Sequence, residues 1–180
     1  DRLSRSLGFF GTNTLCRWDG TDQIVDGQLR GMNFVEQLRF ELKPGDAPRA
    51  FALNPEQEVI AWTTAASKTA IYVANLKTPG RRTELQNDLT DSPRLFFSPK
   101  GDFLAAMSAD GLRVWQLDTG RIVVSLNDSP FAAVFAAGGR ILVSAVSRGL
   151  DHEIHLHDLG NPDGAPRIVP GADFARSLAV

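Results

Sequence analysis

All three histidines of the chain fall in one run, Asp151-His152-Glu153-Ile154-His155-Leu156-His157-Asp158. Read as a strand, this run puts Glu153, His155 and His157 on one face, because successive side chains alternate. Imidazole and carboxylate at that spacing can seat a divalent cation, but a complete site needs further converging ligands. The reading adopted is structural, with no metal bound. A Ser/His/Asp triad can be assembled on paper from almost any chain, yet no nucleophile-elbow sequence is present and these histidines belong to a packed strand. There is no phosphate-binding loop or paired-glycine dinucleotide fingerprint, and none of the glycines precedes a helix. Asn127-Asp128-Ser129 satisfies the bare glycosylation triplet, but Pro130 follows at once and the segment reads as a turn. No catalytic residue, no cofactor and no metal is therefore expected.

The bulk properties exclude further classes. With 180 residues, 43% of them apolar, the chain can bury a real core. Its 19 basic and 21 acidic side chains are interspersed and leave a net charge of −2. That gives no broad attraction to nucleic acid or to anionic membranes, and Arg81-Arg82 is the only tight basic pair. Cys16 is the single cysteine, so an intramolecular disulfide and a multi-cysteine metal site are both excluded. No apolar run approaches the roughly 20 residues that span a bilayer. The chain starts at Asp1 rather than methionine and reads as a piece of something longer.

The elements that would position any site repeat with a period near forty residues, the signature of a repeat architecture. Phe96 to Leu126, FFSPKGDFLAAMSADGLRVWQLDTGRIVVSL, reads as four strands joined by a Pro/Gly turn, an Asp-Gly turn and a Thr-Gly turn. Phe135, Gly139 and Ile141 follow Phe97, Gly101 and Phe103 at a constant shift of 38. Upstream, Pro55 lies 44 residues before Pro99 and Leu76 lies 41 before Leu117, while Leu159 falls 42 after Leu117. Turns of differing length would produce that drift while the strands stay in place. The opening DRLSRSLGFFGTNTLCRWDG matches a second strand, a lengthened turn and a third strand, with its first strand missing. The stretch from Gly20 to Glu36, including Asp26-Gly27 and Gly31, is read as a surface loop or a short extra hairpin before QLRFEL supplies the outer strand. The closing FARSLAV, Phe174 to Val180, has the pattern of a first strand. The expected organisation is thus a partial blade at 1–46, full blades at about 47–90, 91–128 and 129–171, and the first strand of a further or closing blade at 172–180.

Short strands at regular spacing favour an all-β fold, because the connections are too short for crossover helices. The second strands VIAW, FLAAM and ILVSAV are near-continuous apolar runs, which implies burial on both faces. Four-stranded antiparallel sheets packed radially against their neighbours meet that requirement, so the expected fold class is a β-propeller. Asp110-Gly111 and Thr119-Gly120 are expected to supply the positive φ angles of tight turns.

The chain resembles the WD-repeat family over nearly its whole length, most specifically in FSPKGDFLAAMSADGLRVWQLDTGR, Phe97 to Arg121. The resemblance implies a ring of blades, usually seven. It also implies a hydrogen-bonded set formed by a serine, a turn aspartate, a strand tryptophan and a histidine; Ser108, Asp110 and Trp115 match three members. No histidine occurs from Asn87 to Pro93, so this unit lacks the fourth. Trp18-Asp19 keeps the name-giving pair, whereas Ala74 and His157 take the tryptophan position in other units, where His157 can hydrogen-bond between blades. The resemblance further puts Lys68, Asp110, Arg148, Asp151 and His152 on one rim, with the loops Asn87 to Ser92 and Asn127 to Ser129. These five residues are the candidate partner-binding positions, since loops carry the individuality of such folds.

The function implied is a non-catalytic scaffold or sensor module in the cytoplasm, part of a larger multidomain chain, that holds protein or peptide partners. Neither nucleic acid nor membrane is an expected partner. The alternatives are a substrate-gating propeller of a hydrolase whose catalytic domain lies elsewhere, and a propeller enzyme with a channel metal at His155 and His157. An architectural alternative closes the 180 residues as a four-blade ring. An open arc would leave unpaired edges and apolar faces, and the isolated segment is then expected to aggregate or dimerise.

Overall fold

The computed structural model describes residues 7–10, 14–18, 23–30, 33–41, 48–54, 58–65, 67, 69–78, 81–89, 93–128, 130–148 and 151–170. The strands they form are all antiparallel to their neighbours, and each group of four follows chain order as a meander. The first sheet is β1 (Leu7–Phe10), β2 (Thr14–Trp18), β3 (Gln23–Arg30) and β4 (Asn33–Glu41). The second is β5 (Pro48–Asn54), β6 (Val59–Thr64), β7 (Ala70–Asn75) and β8 (Arg82–Gln86). The third is β9 (Arg94–Phe97), β10 (Phe103–Ser108), β11 (Gly111–Gln116) and β12 (Ile122–Leu126). The fourth is β13 (Pro130–Ala136), β14 (Ile141–Arg148), β15 (Asp151–Asp158) and β16 (Arg167–Pro170). The first two sheets belong to one compact unit, residues 1–87, and the last two to another, residues 88–180.

Central strands are buried on both faces, as their unbroken apolar runs require. In β6, Ile60 and Trp62 point one way and Ala61 the other, and all three are buried. Leu104, Ala105 and Ala106 do the same in β10, and Leu142, Ser144, Ala145 and Val146 in β14. Each large side chain so placed contributes about 1.5–3 kcal/mol of transfer free energy. In the first unit, Phe51, Leu53, Ile60, Trp62 and Ala74 form one cluster, with Trp62 and Tyr72 rings 5.6 Å apart and Arg82 4.3 Å above the Tyr72 ring. In the second unit the third and fourth sheets share a core. Ala105, Leu112, Val114 and Val124 from the third pack with Phe135, Leu142 and Leu159, and Phe96 meets Phe135 edge to face at 5.6 Å.

Several connections differ from or sharpen the expectations. First, of the two readings for the stretch from Gly20 to Glu36, the hairpin holds: β3 and β4 pair antiparallel, β4 runs on into QLRFEL, and the opening sheet has four strands. Asp26-Gly27 is a β-bulge inside β3, where the register against β4 shifts, rather than a turn; an Asp-Gly pair serves either purpose. Second, Gly120 has the expected positive φ of 67°, but Gly111 does not belong to the positive-φ residues. Its glycine is demanded by close approach, since a Cβ there would lie 2.4 Å from the Leu126 carbonyl oxygen and 3.1 Å from the Arg113 guanidinium. Third, the β13–β14 connection, aligned with the Pro/Gly turn of the preceding unit, is a short 3₁₀ turn, Ala137–Gly139. Gly139, at φ 90°, lets that turn approach Ser98 of the third sheet. Phe174 to Val180, read as a further first strand, lies outside the described residues.

Candidate partner-binding rim

In an antiparallel meander the first strand begins where the second ends and the third begins. One edge of the third sheet therefore gathers Asp88, Leu89 and Pro93, the Ser108–Gly111 turn and Asn127–Asp128, which precede β13 of the fourth sheet. Ser108 pairs with Gly111 across the turn, and its hydroxyl is hydrogen-bonded to the Asp110 carboxylate. Trp115 is buried on the same face but sits opposite Leu104. Four residues of strand, on the order of 13 Å, separate its register position from that of Ser108. Ser108 and Asp110 are thus brought together, while Trp115 stands apart from them.

Between these positions, opposite Ala106, lies Arg113. Its guanidinium is buried and all its donors are engaged. Nε donates to Asp88 Oδ1 at 2.8 Å and an Nη to Asp88 Oδ2 at 2.7 Å, a bidentate pair. That same Nη also donates to Asn127 Oδ1 at 2.9 Å. The other Nη donates to the carbonyls of Leu126 at 2.7 Å and Leu112 at 3.1 Å. Fork geometry of this kind is particular to arginine. The side chain of Asp88 is 65% exposed against 7% for Arg113, so the clamp reaches from the interior to the surface. The hydrogen bond from Arg113 holds the Asp88 carboxyl below its ordinary pKa, against a smaller opposing effect of burial. Arg113 thereby ties Asp88, before β9, to Asn127, after β12.

The fourth sheet continues this edge. Arg148 closes β14 opposite Asp151, the first residue of β15, and Ser147 pairs with His152. The Ser147 hydroxyl lies 3.2 Å from His152 Nδ1, and the Phe131 ring packs edge-on against the imidazole at 5.5 Å. Phe131 is 38% exposed, and Asp151, next to His152 in sequence, is exposed. Asp110, Arg148, Asp151 and His152 are therefore gathered at one edge of the second unit. Lys68 lies outside the described residues; in the first unit its turn is held by Ser67 N–H donating to Thr64 Oγ1 at 3.2 Å. Sequence reasoning missed Asp88, Arg113 and Phe131. A signal for the clamp was present, since Arg113 shares the inward parity of Trp115 and a buried guanidinium must find acceptors.

The histidine run places Glu153, His155 and His157 on one face of β15, as alternation requires. His155 Nε2 lies 2.8 Å from Glu153 Oε2, and His157 Nε2 lies 3.5 Å from the Ser144 hydroxyl. Burial, with a smaller contribution from neighbouring His155, lowers the pKa of His157 to about 4. Ser144 is fully buried, so its proximity to His157 offers no approach for a substrate. Among the described residues no group of three or more His, Cys, Asp or Glu side chains could hold a metal ion. No helix among them is long and apolar enough to cross a membrane.

Four-stranded antiparallel meanders, with central strands buried on both faces and sheet packed on sheet, are the blades of a β-propeller, and that is the fold of this chain. Among solved structures it is similar to Hsv2 of Kluyveromyces lactis, a seven-bladed propeller. One Hsv2 structure, with its complete loop 6CD, matches at a TM-score of 0.58 and 16% identity, over 88% of this chain and 49% of that one. A second matches at 0.57 and 17%, over 88% and 50%, and a third at 0.58 and 15%, over 98% and 56%. The chain spans about half the length of these structures. No family model and no curated protein matches it.

Proposed function

We propose that this chain is a WD-repeat interaction module of a larger cytoplasmic protein, without catalytic activity of its own, and that it holds a protein or peptide partner on the edge built from Asp88 and Leu89, the Ser108–Gly111 turn and the start of β15. The observation that carries this reading is the pairing of a fixed scaffold with an adaptable surface. Arg113 locks the two flanking segments from within, while Phe131, Asp151 and His152 present an aromatic ring, a carboxylate and an imidazole outward. A rigid aromatic anchor beside polar groups is what binding surfaces use, because little side-chain freedom is lost on docking. The deep histidine face offers no comparable access, which argues against chemistry there.

The test places a photo-crosslinking residue at Asp151 in the full-length protein and, as control, at Glu84 on the exposed face of β8. A partner captured at Asp151 and not at Glu84, whose affinity falls at least tenfold with Phe131→Ala, would support the proposal. Equal capture at both positions, or an affinity untouched by Phe131→Ala and by Asp151→Lys, would remove it.

A further inference from the structure

Within the second unit, the rim leaves unused a pair of imidazoles inside the packed face of the fourth sheet. His155 is 3% exposed and His157 is 9% exposed, with ring centroids 6.2 Å apart. Leu142, the register partner of His157, belongs to the core shared with the third sheet, and Ser144, the partner of His155, lies on the same face. Since ionised Glu153 accepts from His155 Nε2, that nitrogen carries the proton and Nδ1 keeps its lone pair. Nδ1 is buried with no hydrogen-bond partner. A second proton on this ring would create a buried N–H with no acceptor.

We propose that this face is an acid-sensitive junction, in which protonation of His155 and His157 loosens the fourth sheet from the third.

The surroundings make the response one-sided. The third sheet brings Phe96, Leu112 and Val114 to the shared core, and the fourth brings Phe135 and Leu142, none of them ionisable. Among the described residues the charged positions on these two faces are Asp151 and Glu153 of β15 and the exposed Arg94 of β9, whose guanidinium lies 5.8 Å from the Phe96 ring centroid. Asp151 lies at the exposed end of the strand, four and six residues from His155 and His157, so Glu153 is the carboxylate that meets the pair. An imidazolium on each of the two rings would meet a like charge on its neighbour. The depressed pKa of His157 is consistent with this arrangement, since burial and His155 both resist its charging. The neutral His157 imidazole holds the junction closed near neutrality.

Hydrogen exchange of the full-length protein, compared between about pH 7.5 and about pH 5 after correction for intrinsic rates, tests this directly. Protection is expected to fall at the lower pH in β13, β14 and β15 and in the facing β10 and β11, and to persist in β6 and β7. Uniform loss, or none, overturns the proposal. The double variant His155→Gln/His157→Gln is expected to keep its protection at the lower pH, and a loss equal to wild type would count against the histidines. Should that variant fail to fold, imidazole titration of the wild type by NMR decides. The junction must open over the pH range in which His155 and His157 protonate, and opening while both remain neutral overturns the assignment.

Discussion

Arg113 is a buried cation whose every donor is used, and the consequences of disturbing it follow from which group is left behind. Removing Asp88 strips two of its hydrogen bonds, but Asp88 is largely exposed and water can reach the vacated side. Asp88→Ala is therefore expected to cost about 1–3 kcal/mol by chemical denaturation, below the roughly 3–5 kcal/mol of breaking a fully buried pair. The acid dependence has a definite sign. A carboxyl held below its ordinary pKa of 3.8 stabilises the fold above that value, and the contribution is lost as pH falls through the depressed one. The Asp88→Ala variant should accordingly approach wild-type stability only in strong acid. His157 acts in the same direction, at milder acidity. Its stabilisation is complete above the unfolded value of 6.5 and declines as pH falls toward about 4, by at most about 3 kcal/mol. Gly111→Ala must displace the Leu126 carbonyl or the Arg113 guanidinium, and a loss of about 1–3 kcal/mol is expected in thermal melts. A neutral outcome there would mean that the clamp is loose. Arg113 and Asp88 did not stand out from type and spacing alone: Ser108, Asp110, Gly111 and His157 did, because a turn and a histidine run signal themselves locally, whereas Arg113 finds Asp88 25 residues away.

At the scale of elements, the strands were largely legible and the connections were not. β6, β10 and β14 announce themselves as apolar runs, because a strand covered on both faces tolerates no polar alternation. β4 was legible in QLRFEL, but β3 was not, for the Asp26-Gly27 pair resembles a hairpin turn and is instead a bulge. Only pairing with β2 on one side and β4 on the other distinguishes the two. The 3₁₀ turn Ala137–Gly139 offers a sharper test of such a connection. Gly139 combines φ 90° with a Cβ position 3.2 Å from Ser98 Cβ, so Gly139→Ala is expected to cost about 1–2 kcal/mol. Gly138, also at positive φ but with nothing within 4 Å, should show the backbone cost alone. Comparing the two alanine variants by denaturant midpoint separates strain from contact.

At the scale of the whole molecule, the outer strand β16 is short and carries Ile168 and Val169, 49% and 40% exposed on opposite faces. Unpaired edges with exposed apolar side chains template association. The 180-residue chain is expected to show concentration-dependent self-association in sedimentation velocity, relieved by Val169→Lys; a single monomeric species across the concentration range would contradict this. What the sequence by itself determined is the β-propeller class, through a repeat near forty residues, turn residues at regular offsets and doubly buried second strands. Those are local signals, repeated often enough that no single departure obscures them. Only the tertiary structure decided that residues 23–30 and 33–41 pair as a hairpin on the opening sheet, that Arg113 takes up the rim's hydrogen bonding, and that Nδ1 of His155 is buried without a partner. Each of these depends on which distant group a side chain meets, and strand spacing fixes the face a residue occupies without naming its neighbour across the gap.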